Sequence, residues 1–224
     1  MKRIALLGMP NTGKSTFFNR LTSAGARIGN WPGITVDLLS AKILLGTEMV
    51  EVVDLPGLYD LHGFAEDEQV VRRFLLNNPV DLLCIILNAT QIDQQLPLAL
   101  QLRRLGLRAV EIMNMTDEAE QLGIRFDAAA LAAGLDCPVC FISAKYGRGF
   151  PEAREMLRHV LSLDAPTASP TSQTDFVADE ALIAEAEKLI ARSVKMPRAL
   201  EYGLSERIDR FALHPVFGVP LFFL

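Results

Sequence analysis

Gly8-Met9-Pro10-Asn11-Thr12-Gly13-Lys14-Ser15 satisfies the spacing G-x-x-x-x-G-K-[ST] at every fixed position. The apolar run Ile4-Ala5-Leu6-Leu7 precedes it, and helical spacing follows over residues 15–21. Strand, glycine loop and helix start, in that order, make a phosphate cradle: loop N–H groups and the positive helix end both face the anion. In such a loop Lys14 reaches the β- and γ-phosphates and the Ser15 hydroxyl binds Mg²⁺. Gly8, Pro10, Asn11, Thr12, Gly13 and Thr16 complete the expected phosphate-contacting set. A chance match in a glycine turn would lack the flanking strand and helix.

Outward from the loop, strands are expected at residues 40–45 and 50–54, joined as a hairpin at Gly46-Thr47. Asp54-Leu55-Pro56-Gly57 closes the second strand. Helical periodicity covers residues 64–76, 94–105, 127–135 and 151–163, and strands fit residues 81–87, 108–113 and 137–143. The nearly continuous apolar run at 81–87 marks a strand covered on both faces. Strands alternating with helices predict an α/β fold with a mostly parallel, doubly wound sheet, whose ligands bind at the carboxyl ends of the strands.

The chain's 224 residues are 50% hydrophobic and 22% charged, enough for one ordinary domain and something smaller. A net charge of −5 gives no basic footprint, so no nucleic-acid partner is expected. Met1-Lys2-Arg3 leads straight into the P-loop strand without a signal-peptide pattern, which predicts a cytosolic P-loop. Cys137 and Cys140 have C-x-x-C spacing, but no second pair or nearby His completes a zinc set. Packing is therefore expected of them and of Cys84. His62, His159 and His214 are scattered and form no metal motif.

A G domain is expected over 1–164, a Pro/Ser/Thr-rich linker over 165–174 and a small C-terminal helical domain over 175–213. Within the last, residues 176–194 carry an apolar helical face, and Pro197 stops the helix. The apolar run 214–224 is shorter than the roughly 20 residues a bilayer requires. We take it as the start of a truncated transmembrane segment; the other reading is a tail folded back onto the core.

The remaining motifs narrow the nucleotide. Asp54-x-x-Gly57 can hold Mg²⁺ through water and leave the Gly57 N–H to sense a γ-phosphate. Thr35, between P-loop helix and hairpin, can complete the Mg²⁺ shell. In Asn114-Met115-Thr116-Asp117, the Asp117 carboxylate can accept from guanine N1 and its 2-amino group, a donor pair adenine lacks. Asn114 would contact the base and brace the P-loop. In Ser143-Ala144-Lys145, the Ala144 N–H can reach guanine O6. An Asn–Asp pair alone would read as an ordinary turn. Four pieces in order at successive strand ends point to GTP.

This set resembles the TRAFAC-class small GTPases, with Met115 where the commoner N-K-x-D motif has Lys; its thioether chain can still pack on the base. More narrowly, the P-loop, the stretch Ile28-Gly29-Asn30-Trp31-Pro32-Gly33-Ile34-Thr35-Val36, Asp54-Leu55-Pro56-Gly57-Leu58-Tyr59, Asn114-Met115-Thr116-Asp117 and the terminal Ile208-Asp209-Arg210, His214-Pro215 and Gly218-Val219-Pro220 resemble the bacterial ferrous-iron transporter B family (FeoB). The resemblance implies a P-loop GTPase fold and a cytosolic G domain joined through helices to the protein's own C-terminal membrane domain. The site would lie at the cytoplasmic face of the bacterial inner membrane, with small Feo accessory proteins and a homo-oligomer as candidate partners. It also implies a K⁺ ion bound by Asn11 and by backbone carbonyls of Gly29, Asn30 and Trp31, in place of an arginine finger. The alternative for Asn11 is that it only stabilises the loop turn.

Asn11, Lys14, Thr35 and Gly57 are the expected catalytic set. Many GTPases orient the attacking water with a Gln just after D-x-x-G. Leu58 stands there and cannot hydrogen-bond, so slow hydrolysis is expected. Arg27, the nearest candidate finger, reads as a surface residue. Two other readings stay open: a soluble GTPase in ribosome or tRNA maturation, and a GDP/GTP switch without catalysis.

Overall fold

Strand β5 (Leu82–Asn88) is buried along its whole length, as its unbroken apolar sequence requires. It belongs to a seven-stranded sheet in the order β2-β3-β4-β1-β5-β6-β8. Here β1 is Lys2–Leu7, β2 Arg27–Gly29, β3 Leu38–Leu45, β4 Glu48–Asp54, β6 Ala109–Asn114 and β8 Val139–Phe141. From β4 to β8 the neighbours are parallel, whereas β3 and β2 are antiparallel additions at one edge. This is an α/β P-loop GTPase fold. The computed structural model describes residues 1–23, 25–29, 31–34, 36–163 and 181–197.

The expected hairpin forms, with Leu45 opposite Glu48 and Gly46 at φ 63°, the positive angle that a two-residue connection demands. On one face of the sheet, Phe17, Phe18, Leu21, Leu157 and Val160, from α1 (Lys14–Thr22) and α6 (Phe150–Ser162), share a core with Ile4, Leu6, Val52 and Leu82. On the other, α2 (Glu66–Asn77), α3 (Ile92–Arg104) and α5 (Ala128–Leu135) cover Ala5, Leu7, Val53 and Leu83. Cys137 is buried in the second core and Cys140 in the first; all three cysteines are free. Opposite sides of the sheet rule out a pairing between them. The described residues hold no cluster of three or more His, Cys, Asp or Glu side chains able to bind a metal.

The short α4 (Thr116–Gln121) and two-residue β7 (Arg125–Phe126) escaped the periodicity argument, being shorter than one amphipathic repeat. Helix α7 (Ala181–Ser193) occupies part of the expected 176–194 unit and packs directly on the G domain. Its Leu182, Ala186 and Leu189 join the α2–α3–α5 core, and Arg104 meets Glu185 at 3.0 Å. Strand β9 (Val194–Lys195) then pairs antiparallel with β7. The expected linker, residues 198–213 and the apolar run 214–224 lie outside the described residues. Among the described residues no helix is long and apolar enough to cross a membrane.

Candidate functional site

The P-loop turns sharply between β1 and α1. A Cβ on Gly8 would lie 2.4 Å from the Ile86 carbonyl oxygen, so β5 passes too close for any side chain there. Gly13, at φ 82°, precedes α1, and a Cβ there would strike the Asn114 amide at 2.2 Å. Asn11 is also left-handed (φ 62°), a conformation that Asn tolerates, and its side chain is exposed. Thr12 is fully buried and donates its hydroxyl to the Met9 carbonyl at 3.0 Å.

Met9, Pro10, Asn11, Gly13, Lys14, Ser15, Thr16, Gly57 and Asp67 line a cleft of about 430 Å³ over this loop. Lys14 forms an ion pair with Asp54 at the end of β4, and both side chains are largely buried. The Ser15 hydroxyl lies 3.5 Å from the other Asp54 oxygen. Hydroxyl and carboxylate are hard oxygen donors, the set that suits Mg²⁺. Asp54 thus neutralises Lys14 in this arrangement, and the two must part for each to take up its expected role.

Gly57 sits against the P-loop: a Cβ would be 3.0 Å from the Pro10 nitrogen. The next residue donates its N–H to the Gly8 carbonyl at 3.2 Å, tying the D-x-x-G segment to the loop. The Leu58 side chain is 1% exposed and points into the core. Its position therefore offers no group to the cleft at all.

Asn114, at the end of β6 and 3% exposed, is the joint of the site. Its amide nitrogen donates to the Thr12 carbonyl at 2.8 Å, and its oxygen accepts the Ala144 N–H, also at 2.8 Å. The bracing role expected of Asn114 is thus explicit in the geometry. The same bond engages the Ala144 N–H, so that group must be shared or released to reach a base oxygen. Met115 is left-handed at φ 62° and sits at the N-cap of α4, with the half-buried Asp117 in that helix's first turn. The Ser143 hydroxyl is buried and has no partner, an orphan polar group beside the Asn114 joint. Lys145 is exposed and its ammonium sits 5.2 Å from the Tyr146 ring centre.

Two contributors had no sequence signal. Arg20, on α1, donates to the Ala144 and Lys145 carbonyls at 2.8 and 3.1 Å and so holds the third loop from beneath. Asp67, in the first turn of α2, lines the cleft because α2 begins beside Gly57. Neither has a motif; each is placed by tertiary packing.

Two of the residues expected around K⁺ lie away from the cleft that Asn11 lines. Gly29 and Trp31 are absent from the cleft lining, and the Trp31 carbonyl accepts the Ile34 N–H at 3.0 Å within a turn. Asn30 and Thr35 lie outside the described residues.

Fold and loop together define a domain of the P-loop GTPase class. A family model described as "Ferrous iron transport protein B" matches residues 2–157, and the chain belongs to that family. The "Fe(2+) transporter FeoB" of Synechocystis sp. (strain ATCC 27184 / PCC 6803 / Kazusa) is 46% identical over 223 residues, which is 99% of this chain and 36% of that protein. The chain thus spans about a third of this relative's length. The cytosolic domain of L. pneumophila FeoB superposes with a TM-score of 0.74 at 25% identity, covering 87% of this chain and 100% of that one. The cytosolic domain of T. maritima FeoB in its GMPPNP form gives a TM-score of 0.76 at 22% identity, with the same 87% and 100% coverage; it bears on the fold.

Proposed function

We propose that this domain binds GTP and GDP and hydrolyses GTP slowly, and that it regulates or drives Fe²⁺ uptake through an attached membrane domain. The observation that carries the reading is the Asn114 joint, which fixes the phosphate loop and the two base loops as one unit. A nucleotide is the ligand that needs both ends at once. In this reading Asp117 takes the guanine N1 and 2-amino donors, and Met115 packs on the ring. Lys14 leaves Asp54 for the β- and γ-phosphates, while Ser15, Thr35 and Asp54 hold Mg²⁺. The Mg²⁺ supplies neutralisation of phosphate charge.

Hydrolysis is slow because no described side chain at position 58 can orient water; the backbone at Gly57 and the P-loop act by positioning and electrostatics. Asn11 and the backbone carbonyls of Gly29, Asn30 and Trp31 bind K⁺ in this reading. The iron link is supported by relatives that are Fe(2+) transporters, and the chain spans only 36% of one of them, which is consistent with an attached membrane part. In this reading the domain works on the cytoplasmic side of the inner membrane.

Single-turnover GTP hydrolysis in K⁺ against Na⁺, with Asn11→Ala as control, tests this. We expect measurable turnover, faster in K⁺, with the difference lost in the variant. Equal rates in both salts would remove the K⁺ role. A rate at the uncatalysed level in every salt would leave the second reading, a non-catalytic switch, which the buried Leu58 favours.

A further inference from the structure

Residues 31–34 form a closed turn docked on the body of the domain. Trp31-Pro32-Gly33-Ile34 closes with the Ile34 N–H on the Trp31 carbonyl at 3.0 Å, with Pro at the second position and Gly33 at φ 75° in the third. Those are the requirements of a type II turn. The turn seats on α2: a Cβ on Gly33 would lie 3.1 Å from the Asn77 amide. Trp31 meets Phe74 edge-on, with ring centres 5.1 Å apart. The Arg3 guanidinium lies 4.7 Å from the indole centre, held there by Glu51 at 3.0 Å and the Pro79 carbonyl at 2.8 Å. Ile34 and Val36 pack on the same core.

This seat lies away from the cleft, whose lining includes none of residues 31–34. Arg3 is five residues before Gly8 on β1, a span of roughly 16 Å along a strand. The seat is also imperfect: the Trp31 indole N–H is buried without a hydrogen-bond partner. An unpaired buried donor weakens the docked state relative to one in which that N–H meets water. Favourable ring contacts set against an orphan donor make a holding device that a modest ligand bias can open.

We propose that Trp31, clamped between Arg3 and Phe74, is a latch that holds switch I in an off position, and that a γ-phosphate-bearing nucleotide must release it. This rests on the nucleotide reading above. Part of the triphosphate's binding free energy is spent on undocking, whereas GDP, which needs no contact from switch I, binds the docked form. Loosening the latch therefore tightens triphosphate binding and leaves GDP binding alone.

Trp31 is the chain's sole tryptophan, so its fluorescence reports the latch without a label. Calorimetry first measures GDP and a non-hydrolysable GTP analogue in Mg²⁺; emission and acrylamide quenching are then read in the same samples. Docked Trp31 should be blue-shifted and shielded in the free and GDP-bound protein, and red-shifted and quenchable with the analogue. Arg3→Gln should expose Trp31 without any nucleotide and lower the analogue's Kd about three- to tenfold, with GDP affinity unchanged. Phe74→Leu is the second variant, with folding checked by circular dichroism. If the analogue binds but Trp31 emission and quenching stay the same in all states, the latch is wrong and the nucleotide reading stands. The latch is also overturned if Arg3→Gln leaves Trp31 shielded and the analogue's affinity unchanged. Absence of binding by either nucleotide overturns the nucleotide reading and the latch with it.

Discussion

Leu58 shows how one side chain limits chemistry by where it points. The residue after D-x-x-G is fixed at its backbone by the Gly8 carbonyl, and its side chain is core. Replacing it with Gln would not create a water-orienting group. Leu58→Gln should leave the hydrolysis rate unchanged within about twofold and lower stability by about 2–4 kcal/mol, because a buried amide would lack partners. Stopped-flow turnover and urea unfolding of the same preparation check it; a tenfold faster rate would mean that the segment swings outward. Sequence could show that Leu58 cannot hydrogen-bond, but not that it is buried. Asn114 is the opposite case. Its motif made its bracing role legible, and the structure adds only the two partners.

Among the elements, α7 depends on a glycine. A Cβ at Gly134 in α5 would fall 2.3 Å from Leu189 Cδ1, and Leu189 is 2% exposed between α3 and α5. In a free helix Gly→Ala gains up to about 1 kcal/mol. Here the sign should reverse: Gly134→Ala should destabilise by about 1–3 kcal/mol and loosen α7, since Leu189 has nowhere to go. A thermal melt with hydrogen exchange across residues 181–197 tests this, and a raised Tm would contradict it. The long elements β1, β3 to β6 and α1 to α3, and with them the strand-end sites, were legible because their periodicity or apolar continuity is strong. Short α4, β2, β7 and β9 were not, since two to six residues carry no period. An apolar helical face was readable in residues 176–194, but not that its Leu182, Ala186 and Leu189 would join the core that holds α3 and α5. The seat of Trp31 on Phe74 and Arg3 was not legible, because both partners are distant in sequence.

Across the whole molecule, one buried carboxyl sets the pH response of stability. Glu111 on β6 is 0% exposed, and one of its oxygens has no partner. Burial pushes its pKa up from 4.5 to about 8, with the Arg103 charge pulling the other way. The folded state therefore holds a proton that the unfolded chain releases near 4.5. The stability this group contributes is fully present below about 4.5 and is lost as pH rises through about 8. Between pH 5 and 9 the native chain should lose on the order of 3–5 kcal/mol more than Glu111→Gln. Urea midpoints at both pH values check this, and parallel pH curves for the two proteins would refute it. The account as a whole rests on one site that joins a phosphate loop to a guanine-reading loop. Isothermal calorimetry of GDP and ADP in Mg²⁺ tests it most directly. GDP should bind with one-to-one stoichiometry and ADP at least a hundredfold more weakly; equal affinities, or no binding of either, would contradict it.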